Sequence, residues 1–213
     1  MSAILLASGL SALIYGTFFC NASPSLARVI LKTAATALLT LWAYQAGAPL
    51  PIIIALGFST LGDGLLGASE EKFLLPGMAA FFIAHAAYIP LFWDHVADGR
   101  TMLILGAQIL LTISGALFMR SLIPWIEKPM RLPVLAYTII ILVMANGALR
   151  LDPVLWLAAV GALAFAASDT ILSLELFRLK PEAAIRPLTA RAVWFLYYGG
   201  QAAIAWAFIH NVV

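Results

Sequence analysis

Charge is scarce in this chain. Only 10% of its 213 residues are Asp, Glu, Lys or Arg, where a soluble domain carries about 25%. That shortage excludes an ordinary water-facing surface. The single cysteine, Cys20, excludes an internal disulfide. The three histidines, His85, His95 and His210, show no zinc-ligand spacing, which argues against a zinc-dependent hydrolase. There is no Gly-x-Ser-x-Gly elbow and no Gly-rich phosphate loop, so two common routes to hydrolysis and nucleotide chemistry are missing. The net charge of +2 is small and scattered, which excludes a nucleic-acid partner. No basic run precedes the first apolar segment, which therefore reads as a retained span and not as a signal peptide.

What fills the chain is hydrophobic sequence, 63% of it. A bilayer-spanning helix needs about 17–25 predominantly apolar residues. Eight such runs follow one another near 3–20, 25–45, 51–67, 73–93, 101–119, 132–149, 153–174 and 189–211. The expected fold is all-α: one domain over residues 1–213, an integral membrane bundle of about eight transmembrane helices. Lys and Arg sort between the two sides. Odd-numbered loops hold Arg28, Lys72, Arg120, Lys128, Arg131, Arg178, Lys180, Arg186 and Arg191, and even-numbered loops hold only Arg100 and Arg150. The positive-inside bias then puts the odd loops in the cytoplasm and both termini outside.

Within these spans the few polar residues become informative. The stretch GFSTLGDGLLG ends the third span and carries Asp63. A carboxylate there costs roughly 2.5–3.5 kcal/mol on insertion scales, so an intramembrane acid marks a candidate site. Ser59, Gly62, Asp63 and Leu66 share one helical face, and the small residues allow close approach. Ser168-Asp169 in the seventh span repeats the pattern, as a parallel duplication of a four-span unit would produce. At ~1.5 Å per residue, Asp63 lies about 6 Å from the cytoplasmic end of its span, Asp169 about 8 Å and Lys32 about 10 Å. Tyr198 lies about 13 Å deep, and His85 and Gln201 about 18 Å. Five helices thus bring polar groups to one half of the bilayer, which points to a polar pocket opening near the cytoplasmic interface.

His85 and Tyr88 share a face of the fourth span. Trp194, Tyr198 and Gln201 line a face of the last at spacings of four and three. Lys32 either joins the site or snorkels to the interface. Gln108 and Asn146 read as interhelical hydrogen-bonding residues. Asp94, His95 and Asp98 form DHVAD between the fourth and fifth spans, read as a solvated loop and not a metal site.

The ordered set LGFSTLGDGLLG, FLLPGMAAFFIAHAAYIPLF, GALAFAASDTILSLELF and WFLYYGGQAAIAWAF resembles the YhhN-like lysoplasmalogenase family. The positions that carry the resemblance are Lys32, Gly62-Asp63, His85, Tyr88, Ser168-Asp169, Tyr198 and Gln201. Thr33 stands where the family usually has proline. The resemblance implies a polytopic, metal-independent and cofactor-independent hydrolase, in a bacterial inner membrane. It would cleave the vinyl ether of a lysophospholipid substrate to a fatty aldehyde and glycerophosphoethanolamine or glycerophosphocholine. It implies that Asp63 and Asp169 are catalytic, with Lys32, His85, Tyr88, Tyr198, Gln201, Ser59 and Ser168 contacting substrate. Vinyl ether cleavage begins with protonation of the β-carbon, and asks for one carboxyl held protonated and one held ionised. Either aspartate fits either role at this level. Two other readings use the same polar residues: a proton-coupled transporter, and a structural or lipid-binding membrane protein.

Overall fold

The computed structural model describes residues 2–67, 71–97, 99 and 101–212. Among these the chain forms eight α-helices and no strand: α1 Ala3–Ile14, α2 Leu26–Gln45, α3 Leu50–Gly67, α4 Leu74–Trp93, α5 Met102–Leu122, α6 Lys128–Ala148, α7 Trp156–Phe177 and α8 Arg186–Asn211. The helices start where the side chains dictate. Ser2, Ser25 and Thr101 accept from the backbone N–H three residues on, satisfying one of the four orphan donors of a helix start. Pro129 and Pro187 sit in the first turns of α6 and α8, where the missing N–H costs nothing. Those prolines start both helices earlier than the apolar runs predict, at Lys128 instead of Leu132 and at Arg186 instead of Thr189. Gly47 closes α2 at φ 75, a left-handed conformation that favours glycine.

Seven helices are long and apolar enough to cross a membrane, and the chain is a multi-pass membrane protein. The first span is shorter. α1 continues as a π-turn over Tyr15–Phe19, so Ala3–Phe19 is one apolar helix below the length of the other seven. The widened turn puts Gly16 against α8, where a Cβ would sit 2.7 Å from Trp194 Cδ1. Trp194 Nε1 then donates to the Ala12 carbonyl at 2.9 Å. π-turns gather at functional positions, and nothing in the local sequence announces this one.

The core runs through α1–α4 and α6–α8, with Leu39, Ile52, Leu56, Tyr88, Phe92, Phe165 and Phe208 among its buried members. In a bilayer, helices associate through close packing of small residues more than through hydrophobic burial. α7 and α8 show this best. A Cβ on Gly161 would lie 2.6 Å from the Gly200 carbonyl oxygen. Gly161→Leu is therefore expected to separate α7 from α8 and destabilise the fold by about 1–3 kcal/mol. Thermal unfolding in detergent measures this, and an unchanged midpoint would contradict it.

α5 is the exception in the bundle. Its outer residues are widely exposed, Leu103 at 83% and Leu110 at 70%. It is tied to α6 near one end, where Gln108 Nε2 donates to the Asn146 carbonyl (3.0 Å) and Asn146 Nδ2 to Thr112 Oγ1 (3.3 Å). The other end joins a small separate cluster of Met119, Leu122, Ile126 and Val134. The loop after α4 is held by a bridge between Val96 and Leu151. There Asp94 is exposed, His95 is half-buried with its ring edge on Phe208, and Asp98 lies outside the described residues, as does Arg100.

Candidate functional site

Asp63 is fully buried, one turn from the end of α3. Its neighbours are donors. Lys32 Nζ on α2 lies 3.1 Å from Oδ1. Oδ2 accepts from Thr36 Oγ1 at 3.0 Å and from the Tyr197 hydroxyl at 2.8 Å. Lys32 and Thr36 are one helical turn apart, so α2 presents both to the same carboxylate.

Asp169 on α7 has a different environment. Oδ2 accepts from the Tyr137 hydroxyl on α6 at 3.0 Å and lies 3.2 Å from His85 Nε2 on α4. The other ring nitrogen, His85 Nδ1, is 2.7 Å from the Phe81 carbonyl oxygen. A carbonyl only accepts, so Nδ1 carries a hydrogen and Nε2 is the ring atom aimed at Asp169. His85 is fully buried and leans on Phe165 and Tyr137.

A third group extends from Asp63 into the bundle. The Tyr88 hydroxyl donates to Gln201 Oε1, and Gln201 Nε2 donates to Ser59 Oγ at 2.6 Å. Ser59 neighbours the Tyr197 phenol that donates to Asp63, so polar contacts lead from Tyr88 to Asp63. Beyond Tyr88 they end in a stack of Phe92 and Phe208.

Both carboxylates line a cavity of about 430 Å³ whose wall also carries Arg28, Lys32, Glu71, Glu175 and Arg186. Those last residues sit at the ends of α2, α4, α7 and α8, so the cavity opens at the Lys- and Arg-rich end of the bundle. Asp169 also faces a second cavity of about 380 Å³ with an almost wholly apolar wall, between α5 and α4, α6 and α7.

This arrangement of motif residues is matched by a family model. The model described as the YhhN family covers residues 27–208, most of the chain. The chain belongs to the YhhN family. No curated protein and no solved structure matches it.

Within this YhhN bundle, the structure pairs Asp63 with Lys32 and hydrogen-bonds Tyr88, Gln201 and Ser59 to one another beside them. It pairs Asp169 with His85. Lys32 meets Asp63 and does not extend to the interface, with its side chain 17% exposed. Ser168 lies beside the cavity, but its hydroxyl donates to the Val193 carbonyl at 2.8 Å and ties α7 to α8. Tyr198 points elsewhere: its hydroxyl meets Ser8 Oγ at 2.6 Å, and Ser8 donates to the Ala35 carbonyl.

Sequence reasoning passed over Thr36, Tyr137 and Tyr197. For Tyr197 a signal existed. At 100° per residue Tyr197 stands 40° from Gln201 and Tyr198 stands about 60° away on the other side, so both tyrosines fit the polar face and the packing decides between them. Thr36 was visible as the residue one turn beyond Lys32. Tyr137 sits in an apolar run with Thr138 beside it and no acid or base close in sequence to mark it. Among the described residues no group of three His, Cys, Asp or Glu side chains is placed to hold a metal ion.

Proposed function

We propose that this YhhN protein hydrolyses the vinyl ether of a lysoplasmalogen-type lysophospholipid, with Asp169 as the proton donor and Asp63 as the carboxylate that activates water. The observation that carries this reading is the unlike surroundings of two carboxyls on one cavity. Asp63 meets only donors: an ammonium, a threonine hydroxyl and a tyrosine hydroxyl. That set suits an acceptor, the ionised form. Asp169 faces His85 Nε2 at 3.2 Å. A bare nitrogen and a carboxylate oxygen at that distance repel unless a proton lies between them, so the Asp169–His85 pair holds one exchangeable proton.

The reaction then balances. Asp169 delivers that proton to the β-carbon of the vinyl ether, and the electrons of the double bond leave a cation shared between the α-carbon and the ether oxygen. Water, deprotonated toward Asp63, adds to the α-carbon. The resulting hemiacetal gives its hydroxyl proton to Asp169 as its bond to the glycerol oxygen breaks, and that oxygen takes the proton held by Asp63, which releases aldehyde and glycerophospho-alcohol and restores both carboxyls. The net change consumes one water. Asp63 is placed to stabilise the cation as well as to accept the proton. The head group would sit among Arg28, Lys32 and Arg186.

The polar contacts favour a hydrolase over a carrier. Among the described residues they run from Asp63 to Tyr88 and stop at the stacked Phe92 and Phe208, whose rings separate Tyr88 from half-buried His95 at the other face. The Lys and Arg distribution supports a cavity mouth toward the cytoplasm and both termini outside.

The two adjacent tyrosines test the assignment. Tyr197→Phe removes a hydrogen bond to Asp63, worth about 1.5–3 kcal/mol when the acceptor is charged. Turnover is expected to fall by about 10–100-fold. Tyr198→Phe removes the hydroxyl contact to Ser8 and is expected to stay within about twofold of the parent. Aldehyde release by the purified variants measures both, and the reverse ranking would overturn the site described here.

A further inference from the structure

The space beneath α5 has no part in the chemistry above, yet it adjoins it. α5 is fastened to α6 near Gln108 and Thr112, and to the small cluster at Met119 and Leu122. Between those ties it stands off from α4 and α7, leaving the 380 Å³ cavity. Asp169 is the sole charged side chain in that cavity's wall. Leu66, Leu74, Phe81, Asp169, Leu172 and Leu176 belong to both cavities. The polar and apolar spaces therefore meet at Asp169.

We infer that the cavity under α5 is a subsite for one linear aliphatic chain, and that the close approach of Gly115 and Leu142 in its wall acts as a waist that limits the chain length accepted. This rests on the lysophospholipid reading of the polar cavity. An amphiphile with its polar end among Arg28, Lys32 and Arg186 and its chain under α5 has its polar–apolar junction at Asp169, where the vinyl ether must lie. The volume sits near the lower end for small-molecule sites, about 300–1,000 Å³, which suits one chain and not two. The outer face of α5, with Ile109, Leu110, Ile113 and Leu117 exposed, places the subsite beside the bilayer, so the chain arrives laterally.

Gly115 is the lever. A Cβ there would lie 2.7 Å from Leu142 Cδ2, and both residues line the cavity. A large side chain at this position narrows the waist. The experiment uses the full chain in phosphatidylcholine nanodiscs and saturated 1-alkyl lysophosphocholines, which carry no vinyl ether, with octyl, dodecyl and hexadecyl chains. Affinity for the parent protein is expected to rise with chain length. In Gly115→Phe the hexadecyl probe is expected to bind about tenfold or more weakly than to the parent, since each buried methylene contributes about 0.8 kcal/mol. The octyl probe is expected to bind as before, which also shows the variant is folded. Phe118→Ala, which enlarges the cavity, is expected to strengthen hexadecyl binding alone.

Equal loss for all three chains, or no change for any, would overturn the subsite, as would a two-chain phospholipid competing as well as the single-chain probe. The two readings separate cleanly. Chain-selective binding without vinyl ether cleavage supports the subsite and removes the hydrolase. Cleavage whose chain-length dependence ignores Gly115→Phe leaves the hydrolase and removes the subsite.

Discussion

Asp169→Asn is expected to lower the turnover of a lysoplasmalogen by about 10²–10⁴-fold, the usual worth of a general acid. The substitution is nearly isosteric. Asparagine still accepts from the Tyr137 hydroxyl, so the fold is expected to hold, with an unfolding midpoint close to the parent's. What it removes is the proton held between Asp169 and His85. A vinyl ether resists bases and nucleophiles, so no other group on the cavity wall replaces that proton at comparable rate. kcat from aldehyde release, set beside thermal unfolding of the same preparation, separates the two effects. Near-parental kcat in well-folded Asp169→Asn would move the acid to another residue.

The largest stability effect is expected at Lys32. Asp63 is fully buried and Lys32 supplies its countercharge at 3.1 Å. Removing one member of a buried pair leaves the other uncompensated, at a cost of about 3–5 kcal/mol. Lys32→Met is expected to destabilise by that amount. Lys32→Met with Asp63→Asn is expected to recover most of the loss, because the uncompensated charge is gone, and to remain inactive, because the water-activating carboxylate is gone with it. A double-mutant cycle by unfolding in mixed micelles reads the coupling. Additive losses from the two substitutions would mean that the ion pair does not hold Asp63 in place.

The bundle was legible in the sequence because hydropathy and length nearly determine a membrane helix. The eight apolar runs correspond to the eight helices, with differences of a few residues where Pro129 and Pro187 open α6 and α8. Depth along each span placed Asp63, Asp169 and Lys32 in the cytoplasmic half of the bilayer and His85 near its middle, and the structure puts them on or beside one cavity. Helical rotation was harder to read. It depends on which face meets which neighbour, and that is how Tyr198 was taken for Tyr197. The stand-off of α5 left no trace at all, since a lipid-facing leucine and a cavity-lining one have the same hydropathy.

The suspected duplication gains a pattern from the site. Asp63 on α3 takes donors from α2 and α8, through Lys32 and Tyr197. Asp169 on α7 has its contacts from α6 and α4, through Tyr137 and His85. A shift of four helices exchanges the two sets: α2 for α6, α3 for α7, α8 for α4. Each acid is thus served by the helix before it and by the helix that follows the other acid. The side chains at matching places differ, and that difference leaves one carboxyl facing an ammonium and the other an imidazole.

The most direct test of vinyl ether hydrolysis is cleavage of a lysoplasmalogen in D₂O by the purified protein, with the aldehyde reduced at once to its alcohol and weighed by mass spectrometry. Proton delivery to the β-carbon is expected to leave one deuterium on the carbon next to the former aldehyde, with product formation lost in Asp63→Asn and in Asp169→Asn. No aldehyde from folded parent protein, or aldehyde with no deuterium at that carbon, would contradict the two-carboxyl mechanism.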